Sequence, residues 1–97
     1  MRRREYDIQI TVNGRKIRKV IIDPHYETKH FDSLDDEIIL RLVNQLDGQR
    51  FEPDDENAPY LYFVTDRMVV NARKYKLVWL MEADKLYIGV INAYRRQ

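Results

Sequence analysis

The 97-residue sequence predicts one α+β domain. An N-terminal β-hairpin precedes one short and one long helix, which pack on an antiparallel sheet of three to four further strands. Three observations support this fold class. Apolar residues alternate with polar ones near the N-terminus, repeat at helical spacing in the middle, and run almost continuously in the last third. Strands grouped around a helical middle are typical of α+β domains, so we expect a single unit over residues 1–97.

The hairpin is predicted over residues 6–22. Apolar and polar residues alternate from 6 to 12, which is the period of a half-buried strand. Asn13-Gly14 follows, and both residue types tolerate the positive φ angles of a type I′ turn. With a two-residue turn Ile8 faces Lys19, which places a cation on the apolar face. An inward-pointing lysine is tolerated at the edge of a sheet, so we expect the hairpin there.

Two helices are expected in the middle of the chain. Asp23-Pro24 ends the hairpin and begins a short helix or turn over His25–His30. A longer helix is predicted to begin at Ser33, since Asp36 lies at the spacing of a capping box, and to end at Gly48. Its apolar residues repeat at helical spacing: Leu34, Ile38, Ile39, Leu42, Val43 and Leu46.

The last third is predicted to be an antiparallel meander. Residues 49–59 contain two prolines and four acidic residues, which indicates a surface loop. The strands expected after it are Tyr60–Val64, Met68–Val70, Tyr75–Glu82 and Leu86–Ala93. Because the last two are almost continuously apolar, we expect them at the centre of the sheet and covered on both faces or nearly so.

Composition excludes several classes of protein. There are no cysteines, so disulfides and thiolate metal sites are impossible. No apolar run approaches the ~20 residues of a membrane span, and the N-terminus lacks the apolar stretch of a signal peptide, which predicts a cytoplasmic protein. Phosphate-binding loops, dinucleotide fingerprints and nucleophile elbows are absent, so we expect no small-molecule cofactor.

Charge is unevenly distributed although the formal net charge is only +1. Residues 1–22 carry seven basic and two acidic side chains, residues 23–56 carry three and eleven, and residues 57–97 carry seven and three. This pattern has two interpretations. The charges are solvated faces of separate elements, or they form a basic surface for phosphates with an acidic segment turned elsewhere.

Both histidines lie in one short segment. His25 and His30 are five residues apart, which on a helix separates them by about 140° and makes a poor metal site. Acid–base chemistry suits them better, because histidine titrates near neutrality, and Lys29 lies beside them. The alternative is that they only pack or cap at the junction between strand and helix.

Two basic clusters lie at strand ends: Arg73, Lys74 and Lys76, and then Tyr94, Arg95 and Arg96. The first could hold a phosphate and stabilise the charge of a transition state. The second could stack on a base and bind its phosphate. The alternatives are a solvated turn for the first and a solubilising tail for the second.

Residues 75–80 (Tyr-Lys-Leu-Val-Trp-Leu), a short turn, and residues 86–95 (Leu-Tyr-Ile-Gly-Val-Ile-Asn-Ala-Tyr-Arg) resemble the C-terminal hairpin of RelE-like toxins. That group, of barnase–EndoU–colicin–RelE-type fold, packs helices on a four-stranded antiparallel sheet. The resemblance implies RNA cleavage without a metal ion and inhibition by a cognate antitoxin. It assigns Lys76 and Arg73 to the phosphate, and Tyr94 and Arg95 to the strand-end pair.

The first functional hypothesis is therefore a metal-independent endoribonuclease of the toxin–antitoxin type. Its partners would be RNA, free or on the ribosome, and an antitoxin protein, with no membrane. The predicted catalytic residues are His25, His30, Tyr94 and Arg95. The predicted substrate-binding residues are Lys29, Arg73, Lys74, Lys76 and Arg96. The alternative is a non-catalytic protein-interaction module that binds a basic protein through the acidic loop Glu52–Glu56, or a partner strand at the hairpin edge. Nucleic-acid binding without cleavage is a third possibility.

Overall fold

The computed structural model describes residues 3–23 and 34–96. In these ranges six strands form one mixed sheet, and a single nine-residue helix packs on one side of it. The elements are β1 (Arg4–Val12), β2 (Arg15–Ile22), α1 (Asp36–Asn44), β3 (Asp55–Asn57), β4 (Tyr60–Val70), β5 (Arg73–Glu82) and β6 (Tyr87–Arg96). The protein is thus mostly sheet. The predicted α+β fold, with one short and one long helix on three to four strands, is wrong.

The helix is shorter than the apolar pattern predicted. Asp35 is its N-cap, and the Asp35 carboxylate accepts a hydrogen bond of 2.9 Å from the Ile38 amide. After Asn44 the chain continues in turns, in which the Leu46 amide bonds to the carbonyl three residues back. These turns keep Leu46 buried without extending the α-helix. Ser33, the predicted start, lies outside the described residues.

The predicted short helix over residues 25–30 also lies outside the described ranges. Elsewhere the sheet contains more strand than expected. The first two strands predicted after residue 59, Tyr60–Val64 and Met68–Val70, are one strand, β4, with a bulge between Thr65 and Met68. The predicted loop at 49–59 contains β3, which pairs with β4 at the edge of the sheet. The local sequence predicted neither the full length of β4 nor the strand β3, because pairing with a neighbouring strand overrides the weak intrinsic strand preference of these residues.

The strand order is β1-β2-β6-β5-β4-β3. β5 and β6 are central, as their apolar content predicted. β4, β5 and β6 form the expected antiparallel meander, whereas β2 pairs with β6 in parallel. That parallel pair joins the hairpin to the meander and makes the sheet mixed. No local pattern predicts it, because the two strands are separated by most of the chain.

The hairpin forms as predicted, with positive φ angles at Asn13 and Gly14. Its register differs from the expectation. A bulge between Asp7 and Ile10 places Asp7, not Ile8, opposite Lys19. The extra residue moves Lys19 away from the core, and its ammonium lies 3.7 Å from the Glu5 carboxylate. The cation on the apolar face is therefore avoided.

One face of the sheet, here called the helix-side face, carries the core. Trp79 is wholly buried there and stacks on Phe63 at a ring distance of 4.1 Å. The indole nitrogen donates a hydrogen bond of 3.0 Å to the Thr65 hydroxyl. α1 covers this face with three buried residues: Ile39, Leu42 and Val43.

The opposite face, here called the open face, is not covered by any described element. Val78 and Leu80 of β5 lie there, and both are half-buried. The almost continuous apolar run in β5 thus reflects a core on one face and apolar side chains on the other. Coverage of both faces is not seen in the described part of the chain. Within residues 3–23 and 34–96, no helix is long and apolar enough to cross a membrane.

Candidate functional site

Four polar residues lie together at one end of the open face. Lys76 is paired with Tyr94, and Lys74 with Arg96, across β5 and β6. Directly paired residues in an antiparallel sheet project from the same face, with Cβ atoms about 4.5–5.5 Å apart. Lys74, Lys76, Tyr94 and Arg96 therefore form one continuous surface, here called the cationic end.

A bulge in β6 produces this arrangement. Trp79 pairs with Val90, but the next residue along, Val78, pairs with Asn92, so one residue of β6 has no partner. Without the extra residue, Tyr94 would lie opposite Tyr75 and point to the helix side. The bulge reverses the facing of the end of β6 and brings Tyr94 beside Lys76.

Arg73 and Arg95 lie on the other side of the sheet. Arg95 pairs with Tyr75, which is wholly buried on the helix-side face. Arg73 precedes Tyr75 by two residues and shares its face, because strand side chains alternate. Both arginines are exposed. The structure therefore does not bring Tyr94 and Arg95, the predicted strand-end pair, onto one face.

Neighbouring side chains position two members of the cationic end. The Asn92 side-chain amide donates a hydrogen bond of 2.9 Å to the Tyr94 hydroxyl, and its oxygen accepts one of 2.9 Å from the Ala93 amide. Asn92 is only 6% exposed, so the surrounding residues of the sheet restrict its side chain and fix the hydrogen bond to Tyr94. Arg96 lies 3.5 Å from the Asp66 carboxylate in a half-exposed pair, which contributes little to stability.

The charge of the cationic end is positive. In the described ranges neither Lys74 nor Lys76 has an ion-pair partner, and Asp66 is the acid paired with Arg96. An anion approaching this surface meets two ammonium groups, a guanidinium and a phenol. Such an arrangement can bind a phosphate and stabilise charge that develops on it.

Sequence reasoning missed three tyrosines on the same face. Tyr62 pairs with Leu80, and Tyr60 with Glu82, which places both on the open face. Tyr87 of β6 joins them, since its hydroxyl donates a hydrogen bond of 2.7 Å to the Glu82 carboxylate. Alternation within residues 60–64 would have indicated a shared face for Tyr60 and Tyr62, but only the register shows which face.

A second polar cluster ties the helix to the sheet. The Asp36 carboxylate accepts hydrogen bonds from Arg4 Nε and Nη2, at 2.5 and 2.9 Å, and from the Tyr6 hydroxyl. The hydrogen bond to Asp36 raises the pKa of Tyr6, with burial adding to it. This contact joins β1 to the first turn of α1 and lies on the helix side of the sheet.

The remaining predicted residues, His25, Lys29 and His30, lie outside the described residues. Within those described, no group of three or more His, Cys, Asp or Glu side chains is arranged to hold a metal ion. Comparisons of the chain with models of protein families, with curated proteins and with solved structures returned no match.

Proposed function

We propose that this protein binds single-stranded RNA on the open face of its sheet and cleaves it without a metal ion, as a ribonuclease of the toxin–antitoxin type. The observation that carries the proposal is the cationic end, where Lys74, Lys76, Tyr94 and Arg96 share one surface. Positive groups beside an aromatic ring on an exposed sheet are a common way of holding an RNA strand, since phosphates and unpaired bases are contacted together.

The proposed reaction is attack of a ribose 2′-hydroxyl on the adjacent phosphorus. The new P–O2′ bond forms as the bond to the 5′-oxygen breaks, which leaves a 2′,3′-cyclic phosphate and a 5′-hydroxyl. Lys76 and Arg96 would bind the non-bridging oxygens and stabilise their charge in the transition state. The Tyr94 hydroxyl would donate a hydrogen bond to one of them.

Two proton transfers accompany this step. A base takes the proton of the 2′-hydroxyl, and an acid supplies one to the departing 5′-oxygen. We assign these roles to His25 and His30 on their chemistry in the sequence. General acid–base assistance of this kind typically contributes about 10²–10⁴-fold to a rate. His30→Ala is therefore expected to lose cleavage by about that factor while retaining RNA binding.

The test is cleavage of a mixed-sequence RNA by purified protein in EDTA, with two matched variants. Arg95 and Arg96 are adjacent and equally charged, but they belong to opposite faces of the sheet. We expect Arg96→Ala to lose most cleavage and Arg95→Ala to retain most of it. The reverse result would move the site to the helix-side face. Absence of products from the wild type, with and without ribosomes, would contradict the ribonuclease.

A protein-interaction module is the second candidate. The observation that favours it is the exposure of Val64 and Val69, at 42% and 51%, on the same face. Exposed apolar groups next to the cationic end would suit an antitoxin that covers the RNA site, or a partner with no relation to RNA. Failure of the wild type to bind any RNA would favour the unrelated partner.

A further inference from the structure

The second feature of the open face is a shallow groove next to the cationic end. Its walls include Tyr60, Tyr62 and Tyr87, and its floor includes Leu80 and Gly89. The groove encloses about 290 Å³. That is just below the roughly 300–1,000 Å³ of pockets that bury a whole drug-sized ligand. A space of this size has room for one flat ring system.

Gly89 keeps the floor of this groove open. Leu80 is its partner on β5, and a Cβ atom built at Gly89 would lie 3.0 Å from the Leu80 side chain and 3.6 Å from the Tyr87 ring. Any larger residue at position 89 would push Leu80 aside or occupy the groove. The missing side chain thus leaves an apolar floor between aromatic walls.

All three tyrosines are held in place by neighbours. The Tyr60 and Tyr62 rings lie 6.3 Å apart with planes tilted by 47°, so they support one another. The Tyr87 hydroxyl donates to the Glu82 carboxylate at 2.7 Å. Burial, followed by this carboxylate, raises the pKa of Tyr87 to about 12, so its phenol is neutral at physiological pH. The Tyr87 wall is therefore a neutral aromatic ring, and Arg3 and Asp23 add charged groups to the lining of the groove.

The groove and the cationic end lie along the same strand. Leu80 and Lys76 are four residues apart on β5, which corresponds to about 13 Å along one face. Side chains between them on this face are apolar or polar without charge, since Val78 pairs with Val64 and Asn92. A chain that carries both flat rings and negative charges would contact both ends at once.

We propose that the groove between Tyr60, Tyr62 and Tyr87 binds an unpaired base of the same RNA strand whose phosphates contact the cationic end. This inference rests on the proposed function and adds a base-binding subsite to it. Stacking of a base on tyrosine does not depend strongly on the base, so the groove would select single-stranded over paired RNA rather than one sequence.

The experiment measures binding of a fluorescein-labelled 2′-O-methyl oligouridylate by anisotropy. This probe lacks the 2′-hydroxyl nucleophile and is not consumed by cleavage. Tyr62→Ala should weaken binding about 5- to 150-fold, the factor that corresponds to the ~1–3 kcal/mol of one stacked base. Tyr62→Phe keeps the ring and should bind within about twofold of the wild type.

A second probe separates the base from the phosphates. An oligonucleotide of equal length with abasic residues keeps every phosphate but has no bases to stack. The wild type should therefore bind it more weakly than the oligouridylate. Tyr62→Ala should bind the abasic probe as tightly as the wild type does. Equal binding of both probes by the wild type would overturn the groove while leaving RNA binding intact. No binding of either probe by the wild type would overturn the proposed function as well. If Tyr62→Ala does not fold, the comparison of probes on the wild type decides.

Discussion

Replacement of Lys76 by alanine should change the salt dependence of RNA binding in a calculable way. For single-stranded nucleic acid, the logarithm of the association constant falls with the logarithm of salt concentration by about 0.7 per neutralised phosphate. Three cations line the cationic end: Lys74, Lys76 and Arg96. If each contacts one phosphate, the wild-type slope is about −2.1 and that of Lys76→Ala is about −1.4. Raising the salt from 50 to 200 mM then weakens binding about 18-fold and about 7-fold, respectively.

The assay is anisotropy of the 2′-O-methyl oligouridylate over a salt series. Lys85→Ala is the matched control, because Lys85 is exposed in the turn after β5, at the opposite end of that strand from Lys74. Its slope should equal that of the wild type. The same slope for Lys76→Ala and the wild type would refute the phosphate contact at Lys76. An equal reduction in both variants would show that binding depends on net charge and not on this surface.

Two further predictions concern stability and ionisation. Trp79→Ala should lower the free energy of unfolding by about 3–5 kcal/mol, because the buried indole stacks on Phe63. Urea unfolding followed by circular dichroism measures this loss, and Leu86→Ala, at an exposed position, is the control. A loss below about 1 kcal/mol in Trp79→Ala would be inconsistent with a stacked core. Tyr87 should ionise only near pH 12. Because its pKa in the folded protein lies above the ordinary value of 10.0, the stability that it contributes is complete below pH 10 and is lost as the pH rises from 10 to about 12. Absorbance titration should show that this late ionisation disappears in Tyr87→Phe and shifts to lower pH in Glu82→Gln. An unchanged curve in Glu82→Gln would exclude a contribution of the Glu82 hydrogen bond to the raised pKa of Tyr87.

Elements encoded by a few adjacent residues were predicted correctly. Asn13-Gly14 forms the hairpin turn because these residues adopt positive φ angles at low cost. β5 and β6 are central, as their apolar content predicted. Five of the six apolar residues in the helix pattern are buried and Ile38 is half-buried, but the predicted extent of the helix was wrong, since periodicity does not distinguish a helix from the turns that follow it.

The assignment of segments to strands was wrong for a different reason. β3 has three exposed residues, Asp55 to Asn57, and no apolar pattern. It exists because β4 offers an unpaired edge beside it. β2 likewise pairs with β6 only because the fold brings them together, although their separation in sequence is large. Backbone pairing between distant segments leaves no local pattern from which these contacts could be predicted.

The candidate site shows the same division. The sequence by itself determined that basic residues cluster at these strand ends. It did not assign a face to Lys74, Tyr94 or Arg95, because the predicted strands began at Tyr75 and ended at Ala93. Only the tertiary structure decided that Tyr94 lies beside Lys76. One unpaired residue in β6 moves the side chains that follow it to the opposite face of the sheet. That bulge depends on how β5 and β6 pair and not on the sequence of either strand alone.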